Sequence, residues 1–173
     1  MKGMKLLTLM LAILLALCSC TSPPGEPPEG EGFAIYLLAQ DIPVSKMPIV
    51  SHLELADKPL LTLGDIVSYS RETHEIELTA RACEKLLEID VPMNGKAFVV
   101  CVDRQPVYWG AFWSYLSSVY FGGVTIYIHP PLFSDRHTIQ LKLGYPSESF
   151  YSGGDPRSDP KVIRSLEQAG KLR

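Results

Sequence analysis

Residues able to do chemistry are sparse in this chain and scattered along it. The histidines are His52, His74, His129 and His137. No two share the i, i+4 spacing that sets a pair of imidazoles on one helix face, and neither an HExxH nor a Cys-x-x-Cys pattern occurs. His129 and His137 flank one loop, yet a zinc site needs a third ligand and none is identifiable. Ser117-Ser118 lacks the Gly-x-Ser-x-Gly elbow and a recognisable base. Cys101 lies within an apolar run, where desolvation disfavours the thiolate that nucleophilic chemistry requires. The carboxylates are dispersed, and no glycine-rich loop joins a strand to a helix in the phosphate-cradling pattern. The expectation is a chain with no catalytic residue, no metal and no cofactor.

Cys20 is different, because its surroundings specify a reaction. Lys2 and Lys5 give a positive start, Leu6 to Leu17 an apolar run with Thr8 as its one polar residue, and Cys18-Ser19-Cys20 an exit of small residues. As a helix the apolar run would span roughly 18 Å at ~1.5 Å per residue. A resident span must cross ~30 Å of hydrocarbon, so this is a secretory signal rather than an anchor. Leu17-Cys18-Ser19-Cys20 resembles the box of bacterial lipoprotein signals: an aliphatic residue, a variable one, a small one, then the acceptor cysteine. The competing frame ending at Cys18 places bulky Leu17 where a small residue is needed. An ordinary secretory signal that happens to end near cysteines is the alternative. The resemblance implies that residues 1–19 are removed and that Cys20 carries the lipid, holding an extracytoplasmic protein on a membrane. Thr21 follows where some lipoproteins carry the aspartate that retains them at the inner membrane, which favours the outer membrane in a two-membrane cell.

Residues 21–32 read TSPPGEPPEGEG, with no apolar side chain to drive packing. Extended at ~3.1 Å per residue, they reach roughly 37 Å and act as a standoff. Loss of Lys2 and Lys5 with the signal leaves 14 basic against 19 acidic residues, a formal charge of −5. That balance argues against a nucleic-acid surface, which needs a basic stripe. The two remaining cysteines, Cys83 and Cys101, are either a disulfide permitted by the exported compartment or two small buried residues.

One stretch carries an unusual load. Residues 108–121, YWGAFWSYLSSVYF, hold both tryptophans and a run of further rings. Aromatic side chains with a polar tip suit contact surfaces, since they bury large area at small entropic cost. Tyr108, Trp109, Phe112, Trp113 and Tyr115 are therefore the candidate binding surface, for a polypeptide or protein partner taken up by strand addition at an adjacent sheet edge. Packing of these rings in the core is the competing reading.

These residues must be positioned by the surrounding elements. Strands are expected at 33–40, 74–78, 97–103, 107–113, 124–129 and 138–143, the last alternating as TIQLKL. Between them, Thr79 is an N-cap for a helix over 80–89, with Ala82, Cys83, Leu86, Leu87 and Ile89 on its buried face. A second helix opens at Ser158 or Asp159 with Pro160 in its first turn and stops at Gly170. Its apolar stripe is narrow, so it is expected to dock weakly or fray. The order implies an α+β fold: a mixed or antiparallel sheet, one main helix packed on a face, and a short C-terminal helix.

The segment from His74 to Ile128 also resembles the end of the first periplasmic domain of SecD, an accessory subunit of the protein-export channel. The likeness rests on Ile76-Glu77-Leu78, the helix opened by Thr79, Gly95-Lys96 leading into an apolar strand that ends at Asp103, then Val107-Tyr108 and Gly122-Gly123-Val124-Thr125-Ile126. It covers about a third of the chain. Tyr108 to Trp113 replace that family's small-residue–proline pair, and no membrane-spanning segment is present. The resemblance implies a head-like domain over 33–150, followed by a loop and helix at 151–173, and does not carry over proton-driven export. The functional expectation is a tethered, non-catalytic module that binds a polypeptide or protein. The alternatives are a small envelope enzyme whose site leaves no short motif, and a structural subunit of an envelope or export complex.

Overall fold

The computed structural model describes residues 30–128 and 137–173. Cys20, the signal, most of the spacer, and His129 lie outside the described residues. Eight strands form one sheet: β1 (Phe33–Leu37), β2 (Leu61–Thr62), β3 (Ile66–Tyr69), β4 (Glu75–Leu78), β5 (Lys96–Val102), β6 (Gln105–Trp113), β7 (Phe121–Tyr127) and β8 (Thr138–Tyr145). Their spatial order is β2-β1-β5-β6-β7-β8-β4-β3. All neighbours are antiparallel except β6 and β7, which run parallel with Gly110 opposite Val124 and Trp113 opposite Tyr127. The described helices are α1 (Ala80–Leu87) and α2 (Pro160–Gln168).

The sheet curls into a half-barrel, which corrects the α+β expectation of a main helix laid on one face. The reason is the size of the helices against the continuity of the strands. α1 has eight residues and buries only Ala82, Cys83 and Leu86; Leu87, expected on the buried face, is 46 % exposed. The inner side of the sheet supplies most of the core through Phe33, Ile35, Phe98, Phe112, Ile126 and Leu141, and both helices pack into it. α2 is not frayed. It buries Val162, Ile163, Ser165 and Leu166, and its Ser165 hydroxyl accepts the Phe33 N–H at 2.8 Å. Asp159 caps its start, and at its end the Gly170 and Lys171 N–H groups bond the Glu167 and Leu166 carbonyls, with Gly170 left-handed at φ 65.

Both faces of β1 and β5 are covered, as their unbroken apolar sequences require. Phe98 and Val100 point inward, while Val99 and Cys101 point outward beneath Leu53 with Ala34 and Tyr36. Cys83 and Cys101 thus sit on opposite sides of the sheet and are free thiols. The chain enters beside the β5–β6 turn, where the Gly32 N–H donates to the Asp103 carboxylate at 2.8 Å.

Candidate interaction surface

The connection from β6 to β7 is the most unusual part of the molecule. A parallel crossover ordinarily takes a dozen or more residues and a helix. Here Ser114 to Tyr120 make it without either, and the loop is built with its polarity inverted. The Ser117 hydroxyl is buried and donates to the Met93 carbonyl at 2.6 Å while accepting the Val119 N–H at 3.1 Å. The Tyr145 hydroxyl donates to the carbonyls of Ser117, at 2.7 Å, and of Tyr115, at 3.1 Å. The Ser114 hydroxyl accepts the Leu116 N–H at 3.2 Å. With Ser117 turned inward, the loop presents large apolar side chains to water: Leu116 is 67 % exposed and Tyr120 71 %. Tyr115 and Val119 are exposed beside them, as is Met93. Phe150 extends the patch, its ring 6.0 Å from that of Tyr120.

The candidate aromatic residues divide between two roles. Tyr108 and Phe112 face the inner core and are buried, so neither belongs to a surface. Trp113 is buried on the outer side, where its indole stacks on Phe121 at 5.0 Å and 9°. Half-buried Trp109 lies 5.8 Å from the same ring, and Tyr145 lies 5.9 Å from Trp113. These rings form the floor beneath the loop. Of the five candidates, Tyr115 alone is exposed. Tyr108, Phe112 and Trp113 are buried in β6, and the large side chains that project are those of the connection that follows it, Tyr115, Leu116, Val119 and Tyr120. The available signal was charge. From Gln105 to Ser134 the chain carries no Asp, Glu, Lys or Arg, so the loop has no charged side chain to turn outward.

The described sheet edges are partly occupied or short. The outer edge of β3 already carries the C-terminal residues, with Tyr69 bonded to Lys171 and Arg173, and β2 at the other edge has two residues.

Reactive groups elsewhere are committed to structure. Burial, then the nearby Glu31 carboxylate, pushes the Cys101 thiol up to about 12. His74 is buried with its Nδ1 2.9 Å from the Tyr69 hydroxyl. A wide depression of about 800 Å³ near the chain entry is lined by Val50, Ser51, Leu53, Leu55, Arg104, Gln105 and Pro106. Its guanidinium is a clamp, donating to the Asp57 and Ala56 carbonyls at 3.1 and 3.4 Å and lying 5.4 Å from the centre of the Tyr36 ring. Among the described residues no three His, Cys, Asp or Glu side chains converge as a metal site, and no helix is long and apolar enough to cross a membrane. Comparison with protein-family models, with curated proteins and with solved structures returned no match.

Proposed function

We propose that this chain is a lipid-anchored extracytoplasmic protein whose domain is a non-catalytic module that binds a polypeptide or protein through the Leu116–Tyr120 surface. The anchor rests on the Leu17–Cys20 sequence and on the proline-rich spacer that follows it. The observation that carries the binding reading is the inverted loop. Exposing Leu116, Val119 and Tyr120 costs solvation free energy that the isolated domain does not recover, and contiguous exposed apolar patches of this kind mark contact sites. The hydroxyls of Ser114 and Ser117 and the backbone groups they and Tyr145 meet are already bonded, so little ordering is needed on association.

Two measurements test the two halves. Cys20→Ser should leave an unlipidated precursor. Labelling that survives this change and disappears with Cys18→Ser would move the anchor to the other frame. For the surface, Leu116→Cys in the full chain of intact envelopes should react with a water-soluble maleimide several-fold more slowly than Ile49→Cys, which is as exposed but lies outside the patch, because a partner covers Leu116. Cys83 and Cys101 are buried and contribute no competing signal. Equal labelling of the two sites would sink the binding reading.

A further inference from the structure

The occupant of this surface can be specified more closely, and we infer that it is a second copy of this chain, an inference that rests on the binding reading above. Size is the first argument. Leu116, Tyr120, Tyr115, Met93, Val119 and Phe150 are between 44 % and 71 % exposed. With large side chains each offering up to ~150–250 Å², the patch is on the order of 600 Å². That approaches the ~800 Å² per partner of a standard stable interface and sits at the top of the range for a lone monomer.

Charge is the second. The chain is acidic, so two copies repel across most of their surfaces. The stretch from Gln105 to Ser134 is free of Asp, Glu, Lys and Arg, and exposed Glu148 stands only at the Phe150 end of the patch, so the loop can meet its own image with little like-charge penalty. A partner recognised by charge would find nothing here to pair with. An isologous two-fold contact needs one self-compatible patch, which is what an uncharged mixture of Tyr, Leu and Val supplies.

Placement is the third. The loop starts at the end of β6 remote from the β5–β6 turn where the chain enters the domain, and because β7 runs parallel to β6 it returns toward that turn by Tyr120. β6 spans about 27 Å at ~3.3 Å per residue. Ten residue steps separate Cys20 from Gly30, about 31 Å at ~3.1 Å each. The Leu116 end of the patch is thus held away from the tether, and confinement of two copies to one membrane raises their effective concentration.

The test uses the full chain, co-expressed in two epitope-tagged forms, with a photo-crosslinking amino acid in place of Leu116. Illumination of intact cells should give an adduct of twice the chain mass that carries both tags. Tyr120→Glu or Val119→Glu, at exposed positions where folding tolerates the change, should cut that adduct at least tenfold. Ile49→Glu, 65 % exposed outside the patch, should leave it unchanged. An adduct to a different protein or to lipid only, or no doubly tagged adduct at all, overturns the second-copy assignment. Slow maleimide labelling of Leu116→Cys without a doubly tagged adduct overturns it alone; fast labelling removes the binding reading as well.

Discussion

His74 holds φ 54 in the turn between β3 and β4, a left-handed conformation that suits glycine or asparagine better than a ring-bearing side chain. It is retained in the fold by what the ring reaches: Tyr69 Oη at 2.9 Å, with its own carbonyl accepting the Leu141 N–H at 3.0 Å. Arg157 faces it from the 151–159 loop, donating to the Leu141 carbonyl at 2.9 Å and paired with Asp155 at 2.7 Å. Burial, and then the Arg157 charge, hold the His74 pKa below its ordinary 6.5, with Asp155 opposing weakly. The unfolded chain therefore binds the proton more readily than the folded one. Stability should be full above pH 6.5 and decline as pH falls from 6.5 through the lower folded value. A separate loss, from Asp155 and Asp65, belongs below 3.8. Arg157 lowers the first carboxyl, while for the second burial works upward and is outweighed by Lys85 and Thr62. His74→Asn should keep the backbone conformation, lower the melting temperature at pH 7.5, and flatten its fall between pH 7 and pH 5. An unchanged pH slope in thermal melts of this variant would show that His74 is not the responsible group.

At the element scale, local pattern was readable and pairing was not. Thr79 does cap α1, accepting the Ala82 N–H at 3.2 Å, because a hydroxyl before an amphipathic run has one favourable use. The strand at 107–113 was likewise evident from its aromatic and branched residues. Nothing local announces that β6 pairs in parallel with β7, since the short link from Ser114 to Tyr120 resembles a hairpin connection. Gly110 marks the pairing after the fact. A Cβ there would lie 2.5 Å from both the Phe98 ring and the Val124 carbonyl, and the carbonyl belongs to the parallel partner. Gly110→Ala should therefore destabilise by about 3 kcal/mol, the upper range for overpacking, because strand backbone has to move. Gly64→Ala, whose Cβ meets nothing nearer than Thr62 Oγ1 at 3.6 Å, should be close to neutral. Denaturant midpoints compare the two, and similar small losses would mean that β6 and β7 separate without difficulty.

Across the whole molecule, the α+β reading failed because a layered sheet and a curled one share the same strand and helix signals. What distinguishes them is closure, and closure depends on contacts far apart in sequence. β2 and β3 lie at opposite edges of the sheet yet are joined by Leu63–Asp65 alone, which brings the edges toward each other. Asp65 ties that corner to α1 through Lys85 at 2.8 Å. α2 then fills the inner side, and the residues after Gly170 run parallel to β3, with Leu172 opposite Tyr69. Three backbone bonds hold this tail: Tyr69 N–H to the Lys171 carbonyl at 2.7 Å, Arg173 N–H to the Tyr69 carbonyl at 2.8 Å, and Arg71 N–H to the Arg173 carbonyl at 3.2 Å. The tail satisfies donors that an open edge would offer to any passing strand. Ending the chain at Gly170 should therefore cost about 3 kcal/mol, at ~1 kcal/mol per bond. It should also raise amide hydrogen exchange at Tyr69 and Arg71 far more than at the Phe98 and Val100 amides within β5. If the Tyr69 and Arg71 amides stay as protected in the shortened chain as in the full one, the edge is sealed by something other than the tail, and α2 alone must close the half-barrel.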